Sequence, residues 1–184
     1  MVLLACLRRP RCPTLEVSPP EASDPSRELR ESRQGKRLLV VHHTVSPSTH
    51  AMLRACLDGA RDPLIKGVEV IDCAALVASA ADALRADGYI LLGPVNLGYL
   101  AGAIKHFFDQ AYYPCLESTV GRPYAAVLHA DGDATGALGA MASITRGLRW
   151  REAAKPVIVK GTPSVDNLAA IRELAAALAA GLVL

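Results

Sequence analysis

The sequence predicts an α/β protein built on an open, doubly wound parallel sheet with helices on both faces. Five short β-branched or leucine-rich runs recur along the chain, at residues 37–43, 68–72, 89–92, 124–129 and 157–160. Such continuous apolar runs mark strands buried from both sides, as parallel strands are. Segments of helical spacing follow each of them, at 48–59, 74–86, 100–111, 135–150 and 164–180. No block of consecutive antiparallel strands interrupts the alternation, and right-handed crossovers then distribute the helices over both faces.

The first strand is preceded by 35 residues of different character. They hold five of the 12 prolines, six arginines, five acids and no aromatic residue. That composition buries too little apolar surface to offset ordering entropy, so residues 1–35 read as a flexible tail ahead of one domain at 36–184. Six of 20 basic and five of 18 acidic groups lie in the tail, so 14 and 13 remain in the domain, which is close to neutral. Clustered cations, which phosphate backbones require, are missing, and nucleic acid is not an expected partner. No apolar run approaches the ~20 residues of a membrane span. The opening MVLLACLRR places its short apolar run before the arginines, unlike a secretory signal. Five cysteines without a CxxC spacing signal neither a disulfide framework nor a zinc cage, and a reducing cytoplasmic setting fits them.

In a sheet of this class ligands sit beyond the carboxyl ends of the strands, where the strand order reverses. Three connections qualify. The first runs His42-His43-Thr44-Val45-Ser46-Pro47-Ser48-Thr49-His50 straight from the first strand into a helix. Ser46 suits an N-cap and Pro47 the first helical position. Hydroxyls and N–H groups there converge at the positive end of a helix dipole, a setting for a phosphate monoester held without lysine. Capping alone accounts for Ser and Thr equally well. Neither GxGxxG nor GxxxxGK[ST] is present, against dinucleotide or P-loop binding.

The second connection, Gly93-Pro94-Val95-Asn96-Leu97-Gly98-Tyr99, reads as a loop offering a rigid backbone, apolar surface and an amide to a flat ligand. It leads into a helix carrying Lys105 and Asp109, four apart on one face, with Ile104, Phe107 and Phe108 as core. The third, His129-Ala130-Asp131-Gly132-Asp133-Ala134-Thr135-Gly136, is small enough to aim backbone N–H groups at one ligand edge, with Asp133 placed to cap the next helix. Two carboxylates without further oxygen ligands make a poor cation site, so no metal is expected.

Together these connections resemble the flavodoxin-like NAD(P)H-dependent FMN reductases, over residues 37–160 and most specifically over 93–109. The resemblance implies a strand order of 2-1-3-4-5 and an FMN cofactor. Its phosphate would lie on Thr44, Ser46, Ser48 and Thr49. Its ring would be lined by Pro94, Val95, Asn96 and Leu97, with His129, Ala130, Asp131 and Gly132 on the pyrimidine side. The implied activity moves electrons from NAD(P)H through the flavin to a small acceptor such as a quinone or free flavin, with no side chain as catalytic acid or base. Where many members carry an arginine or asparagine in the phosphate loop and an aromatic beside the ring, this chain has Ser, Thr and His43 in the first and only Tyr99 at the second.

Two alternatives share the fold: a flavodoxin-type electron carrier, usually strongly acidic, and a cofactor-free interaction module. Of the five histidines, His43 and His129 stand at strand ends where a ligand would meet them; His42, His50 and His106 read as packed or solvated. Cys115 has no local activator in the sequence. Helices at 100–111 and 168–180 offer apolar faces compatible with a homodimer, although Leu168, Ile171, Leu174, Ala175 and Leu178 equally form a stripe for packing on the sheet.

Overall fold

A computed structural model describes residues 35–184. The tail expected over 1–35, with Cys6 and Cys12, falls outside the described residues apart from Gly35. Five parallel strands form the frame: β1 (Lys36–His42), β2 (Val68–Ala74), β3 (Gly88–Asn96), β5 (Pro123–Ala130) and β7 (Val157–Lys160). Two dipeptide strands, β4 (Tyr99–Leu100) and β6 (Arg151–Glu152), complete a seven-stranded sheet. The helices are α1 (Pro47–Ala60), α2 (Ala80–Arg85), α3 (Gly102–Cys115), α4 (Thr135–Gly147) and α5 (Val165–Gly181).

The order β2-β1-β3-β5 continues into an edge position shared by β6 and β7, both parallel to β5. Taken over the five main strands this is the 2-1-3-4-5 path. β6 pairs with Pro123 and Tyr124, β7 with residues 127–130, and the chain bulges away between them. All five predicted strands are present. The helix expected over 74–86 is not: β2 runs on to Ala74, a turn follows, and only Ala80–Arg85 is helical. Ser79 decides the start, since its hydroxyl accepts from the Asp82 N–H while Asp82 caps the Ser79 N–H in return.

Alternation along the strands divides the core. Leu39, Val41, Tyr89, Leu91, Tyr124, Ala126 and Leu128 face α2, α3 and α4; Leu38, Val40, Ile90, Leu92, Ala125, Val127 and Val159 face α1 and α5. The stripe Ile171, Leu174, Ala175 and Leu178 on α5 packs inward on this second face, as do Ile104, Phe107 and Phe108 of α3 on the first. Helices α1 and α5 touch so closely that a Cβ on Gly59 would stand 2.1 Å from the Arg172 carbonyl oxygen. Lys105 and Asp109 pair as their spacing predicts, on an exposed face where the bond adds little. Among the described residues no helix is long and apolar enough to cross a membrane.

The amino-terminal end of the sheet is held by a buried arginine. The two N–H bonds of Arg122 Nη1 are shared among the carbonyls of Ala83, Leu84 and Ala86 at the end of α2 and the Tyr89 hydroxyl, all within hydrogen-bond distance, while Nη2 donates to the Ser118 carbonyl. A helix end leaves its last carbonyls short of internal partners, and here the guanidinium faces three of them, with the Tyr89 hydroxyl also donating to the Ala83 carbonyl. Tyr89 stacks on Trp150 with ring centroids 3.8 Å apart, and the Trp150 Nε1–H donates to Thr119 Oγ1 over 2.8 Å. Replacing Arg122 by Met strands several buried acceptors at once and is expected to lower the unfolding free energy by about 3 kcal/mol or more. Urea denaturation followed by Trp150 fluorescence measures it.

Candidate functional site

The strand order reverses at β1. From β1 the chain passes through α1 to β2 on one side, then crosses back through α2 to β3 on the other. Between the carboxyl ends of β1 and β3 the connections diverge, and that is where a crevice opens in sheets of this kind. Three elements surround it.

The first is the β1–α1 connection. It leaves the sheet through His43, whose N–H donates to the Leu92 carbonyl over 2.8 Å. Ser46 is the N-cap of α1 and Pro47 its first residue, as expected. Thr49 completes a capping box: its N–H donates to Ser46 Oγ, and its own Oγ1 accepts the N–H groups of Val45 and Ser46, each over 3.1 Å. Thr49 is fully buried. Of the four hydroxyls expected to meet a phosphate, that of Thr49 is therefore turned into the loop and fixes its shape, while Thr44, Ser46 and Ser48 remain partly accessible. The His42 ring, half-buried, places Nδ1 3.2 Å from Thr44 Oγ1.

The second element corrects the sequence reading. The segment expected to be a loop over 93–99 is mostly strand: β3 continues to Asn96 and β4 returns antiparallel, with Val95 opposite Leu100 and Asn96 opposite Tyr99. Leu97 and Gly98 form the turn with φ of 53° and 72°. Positive φ at both central positions is the signature of the tight hairpin turn that matches strand twist. Leu97 adopts it despite its branched side chain, which stands wholly in solvent at 105% relative exposure. Leu100 and Ala101 are buried and anchor the returning strand in the core. Pro94 sits opposite His129 in the β3–β5 register.

The third element, after β5, meets the second. A Cβ on Gly136 would stand 2.3 Å from the Gly98 carbonyl oxygen, so only glycine lets the hairpin rest on the first turn of α4. Asp133 organises this connection by accepting the Thr135 hydroxyl at 2.6 Å and the Thr135 N–H at 3.0 Å, which hold its carboxyl below the usual range. Asp131 and Gly132 are exposed and Ala130 is buried. His129 is directed away from the neighbouring strand ends of β1 and β3: its Nε2–H donates to the Gly161 carbonyl after β7 over 2.7 Å.

The histidines are less scattered than their sequence positions suggest. His42 is held below its ordinary value by burial, against the attraction of Asp72, and His50 and His43 lower it further. His42, His43 and His50 thus form one electrostatic group around the first connection, whereas His106 is an exposed residue of α3. His42 was the residue hardest to single out from sequence; its position at a strand terminus two residues before a threonine is the only local signal. The described cysteines offer no reactive thiolate. Burial pushes the Cys56 thiol up to about 12 and the Cys115 thiol up to about 11, and Cys73 is also raised by burial and by Asp82 and Asp72.

The strain at Leu97 has a measurable consequence. Leu97→Asn supplies the residue that hairpin turns of this type favour ahead of glycine, and removes no packing. It is expected to raise stability by about 1 kcal/mol, seen as a higher Tm by calorimetry.

No protein-family model matches the sequence, and no curated protein is significantly similar to it. Solved structures are similar. An archaeal flavodoxin superposes with a TM-score of 0.69 at 16% identity, covering 80% of this chain and 99% of its own. A flavodoxin, WrbA-like protein from Agrobacterium tumefaciens gives 0.65 at 17% identity over 81% of this chain and 98% of its own. The flavodiiron protein from Giardia intestinalis gives 0.69 at 15% identity, with 82% of this chain matched to 37% of that one. With the strand order and the three converging connections, these likenesses establish that the chain has the flavodoxin-like fold.

Proposed function

We propose that this protein is an FMN-dependent oxidoreductase that takes electrons from NAD(P)H and passes them to a small acceptor such as a quinone or free flavin. The observation that carries the reading is the meeting of three elements at the β1/β3 switch point: a Ser/Thr connection at the amino end of α1, the β3–β4 hairpin, and the connection after β5 with the first turn of α4, on which that hairpin rests. The donor set of the first element fits a phosphate monoester. It presents hydroxyls and a helix end and no carboxylate between residues 43 and 50.

When bound, FMN supplies hydride acceptance and onward electron transfer. The protein's part is to hold and orient it. Thr44, Ser46 and Ser48 supply hydroxyl donors to the phosphate, and Thr49 keeps the connection in shape from within. Pro94, Val95, Asn96 and Leu97 would line the ring from the hairpin side. Backbone groups of Ala130, Asp131 and Gly132 would face its pyrimidine side, where N–H donors would favour negative charge. His129, tied to Gly161, supports the end of β5.

A flavodoxin-type electron carrier is the second reading, favoured by the near-complete coverage of solved flavodoxins. Its weakness is charge: 14 basic and 13 acidic groups over residues 36–184 give no acidic field for steering a basic partner. Two measurements separate the readings. The purified chain is expected to show a flavin spectrum or to acquire one on titration with FMN; a colourless protein that binds no FMN overturns both. Steady-state NAD(P)H oxidation with a quinone is expected for the enzyme and absent for the carrier.

Ser48 lies outside the capping box, so its removal reports on the phosphate alone. Ser48→Ala is expected to weaken FMN about tenfold, the worth of one hydrogen bond to a charged group. Riboflavin, which has no phosphate, should bind the variant and the parent alike.

A further inference from the structure

The connection assigned to the phosphate contains no lysine or arginine between residues 42 and 50. A phosphate monoester carries nearly two negative charges at neutral pH, and a helix end offsets only about half of one. The ionisable groups within the connection are imidazoles. His42 closes β1, His43 follows it, and His50 lies in the first turns of α1.

The contact between His42 and Thr44 gives the ring a way to act. Thr44 Oγ1 has one proton to donate, and its only side-chain partner among the described residues is His42 Nδ1, 3.2 Å away. When Nδ1 is unprotonated it accepts a hydrogen bond from that O–H, and the threonine offers a ligand only lone pairs. Once the ring is doubly protonated, Nδ1–H must donate to Thr44 Oγ1, and the threonine O–H is released to point into the crevice.

We propose that His42 is a positioning residue for the cofactor phosphate: phosphate binding takes up a proton on His42, which supplies the cation missing from the loop and turns the Thr44 hydroxyl outward as a donor. The proposal rests on the FMN reading above and deepens it. His42 thereby makes the site selective for a doubly charged phosphate ester.

The surroundings agree. In the free protein burial holds the ring below its ordinary value, Asp72 pulls it up, and His50 and His43 push it down. Asp72, on β2, is itself paired with Arg61 at the end of α1, which blunts its pull on His42. The β2 and β3 residues in register with His42 are Ala74 and Leu92, neither ionisable. Burial therefore disfavours the charged ring until an anion arrives. A dianion favours the charged ring and raises its pKa, so affinity grows as pH falls and is lost as pH rises through the raised, bound-state value.

Fluorescence titrations of the full chain with FMN and with riboflavin, from pH 6.5 to 8.5, test this. The range stays above the phosphate's own second ionisation near about 6, which acts in the opposite sense. FMN affinity is expected to fall by up to about tenfold per pH unit across part of the range, the slope of one linked proton, while riboflavin affinity stays flat. Folded His42→Gln is expected to bind FMN more weakly with a flat profile, and His50→Gln, altered at an exposed position, to keep the slope. If His42→Gln does not fold, histidine NMR of the parent chain takes its place, with inorganic phosphate expected to raise the His42 titration. A flat FMN profile in the parent, a slope that survives in His42→Gln, an equal slope for riboflavin, or a His42 titration unmoved by phosphate overturns the proposal and leaves the FMN reading standing. Absence of FMN binding at every pH overturns both.

Discussion

Burial of β1 and β3 from both faces constrains everything else in this molecule. Each contributes an unbroken run of fully enclosed side chains, Leu38 to Val41 in one and Tyr89 to Leu92 in the other. A strand enclosed on both sides needs helices above and below it, and with right-handed crossovers this requires one reversal of direction across the sheet, which puts α1 and α5 on one face and α2, α3 and α4 on the other. The chain winds outward through α1 to β2 and then returns across the sheet through α2 to β3. That return creates the divergence at the carboxyl ends of β1 and β3. The crevice follows from how the core is covered, and the residues around it are then free to specialise.

Those residues show how the scaffold shapes a site. Around the first connection, the buried Thr49 gathers two backbone N–H groups and leaves other hydroxyls near the surface. At the hairpin, a branched residue is held in a left-handed conformation that glycine or asparagine would adopt at less cost, while its side chain makes no packing contact that would offset the strain. At the opposite end of the sheet, Arg122 and the Tyr89–Trp150 stack bind the start of β3 to the end of α2. The molecule thus has a firmly tied amino-terminal edge and a carboxyl-terminal edge made of turns and caps, an arrangement suited to a rigid scaffold that presents adaptable loops.

Most of the frame was legible in the sequence because fully buried strands write themselves as continuous apolar runs, and Ser46-Pro47 marks a helix start unambiguously. Two features were not. Ala74–Ala86 has helical composition, yet pairing of β2 with β1 extends the strand to Ala74, and the Ser79 cap starts the helix late. The Gly-Pro-Val-Asn-Leu-Gly stretch carries loop residues, yet Gly93 and Pro94 remain in register with β5, and the turn is confined to Leu97 and Gly98. Glycine and proline spoke for a loop; long-range pairing, invisible in local composition, prevailed. At the site, hydroxyl types were readable but their directions were not. Neither Thr49 turning inward nor His42 reaching Thr44 has a local signature that separates it from its neighbours.

The divided outer strand beside β5 has a consequence for life at high concentration. An open sheet ends in rows of unpaired peptide groups that invite another chain to add on. Here one margin is broken into β6 and β7 by a bulge that includes Pro156, so no long straight template is offered there. The other margin, β2, carries Glu69 and Asp72, each engaged with an arginine, and presents charge where an incoming strand would dock. Both borders of the sheet are thus guarded against fibrous growth, one by shape and the other by electrostatics.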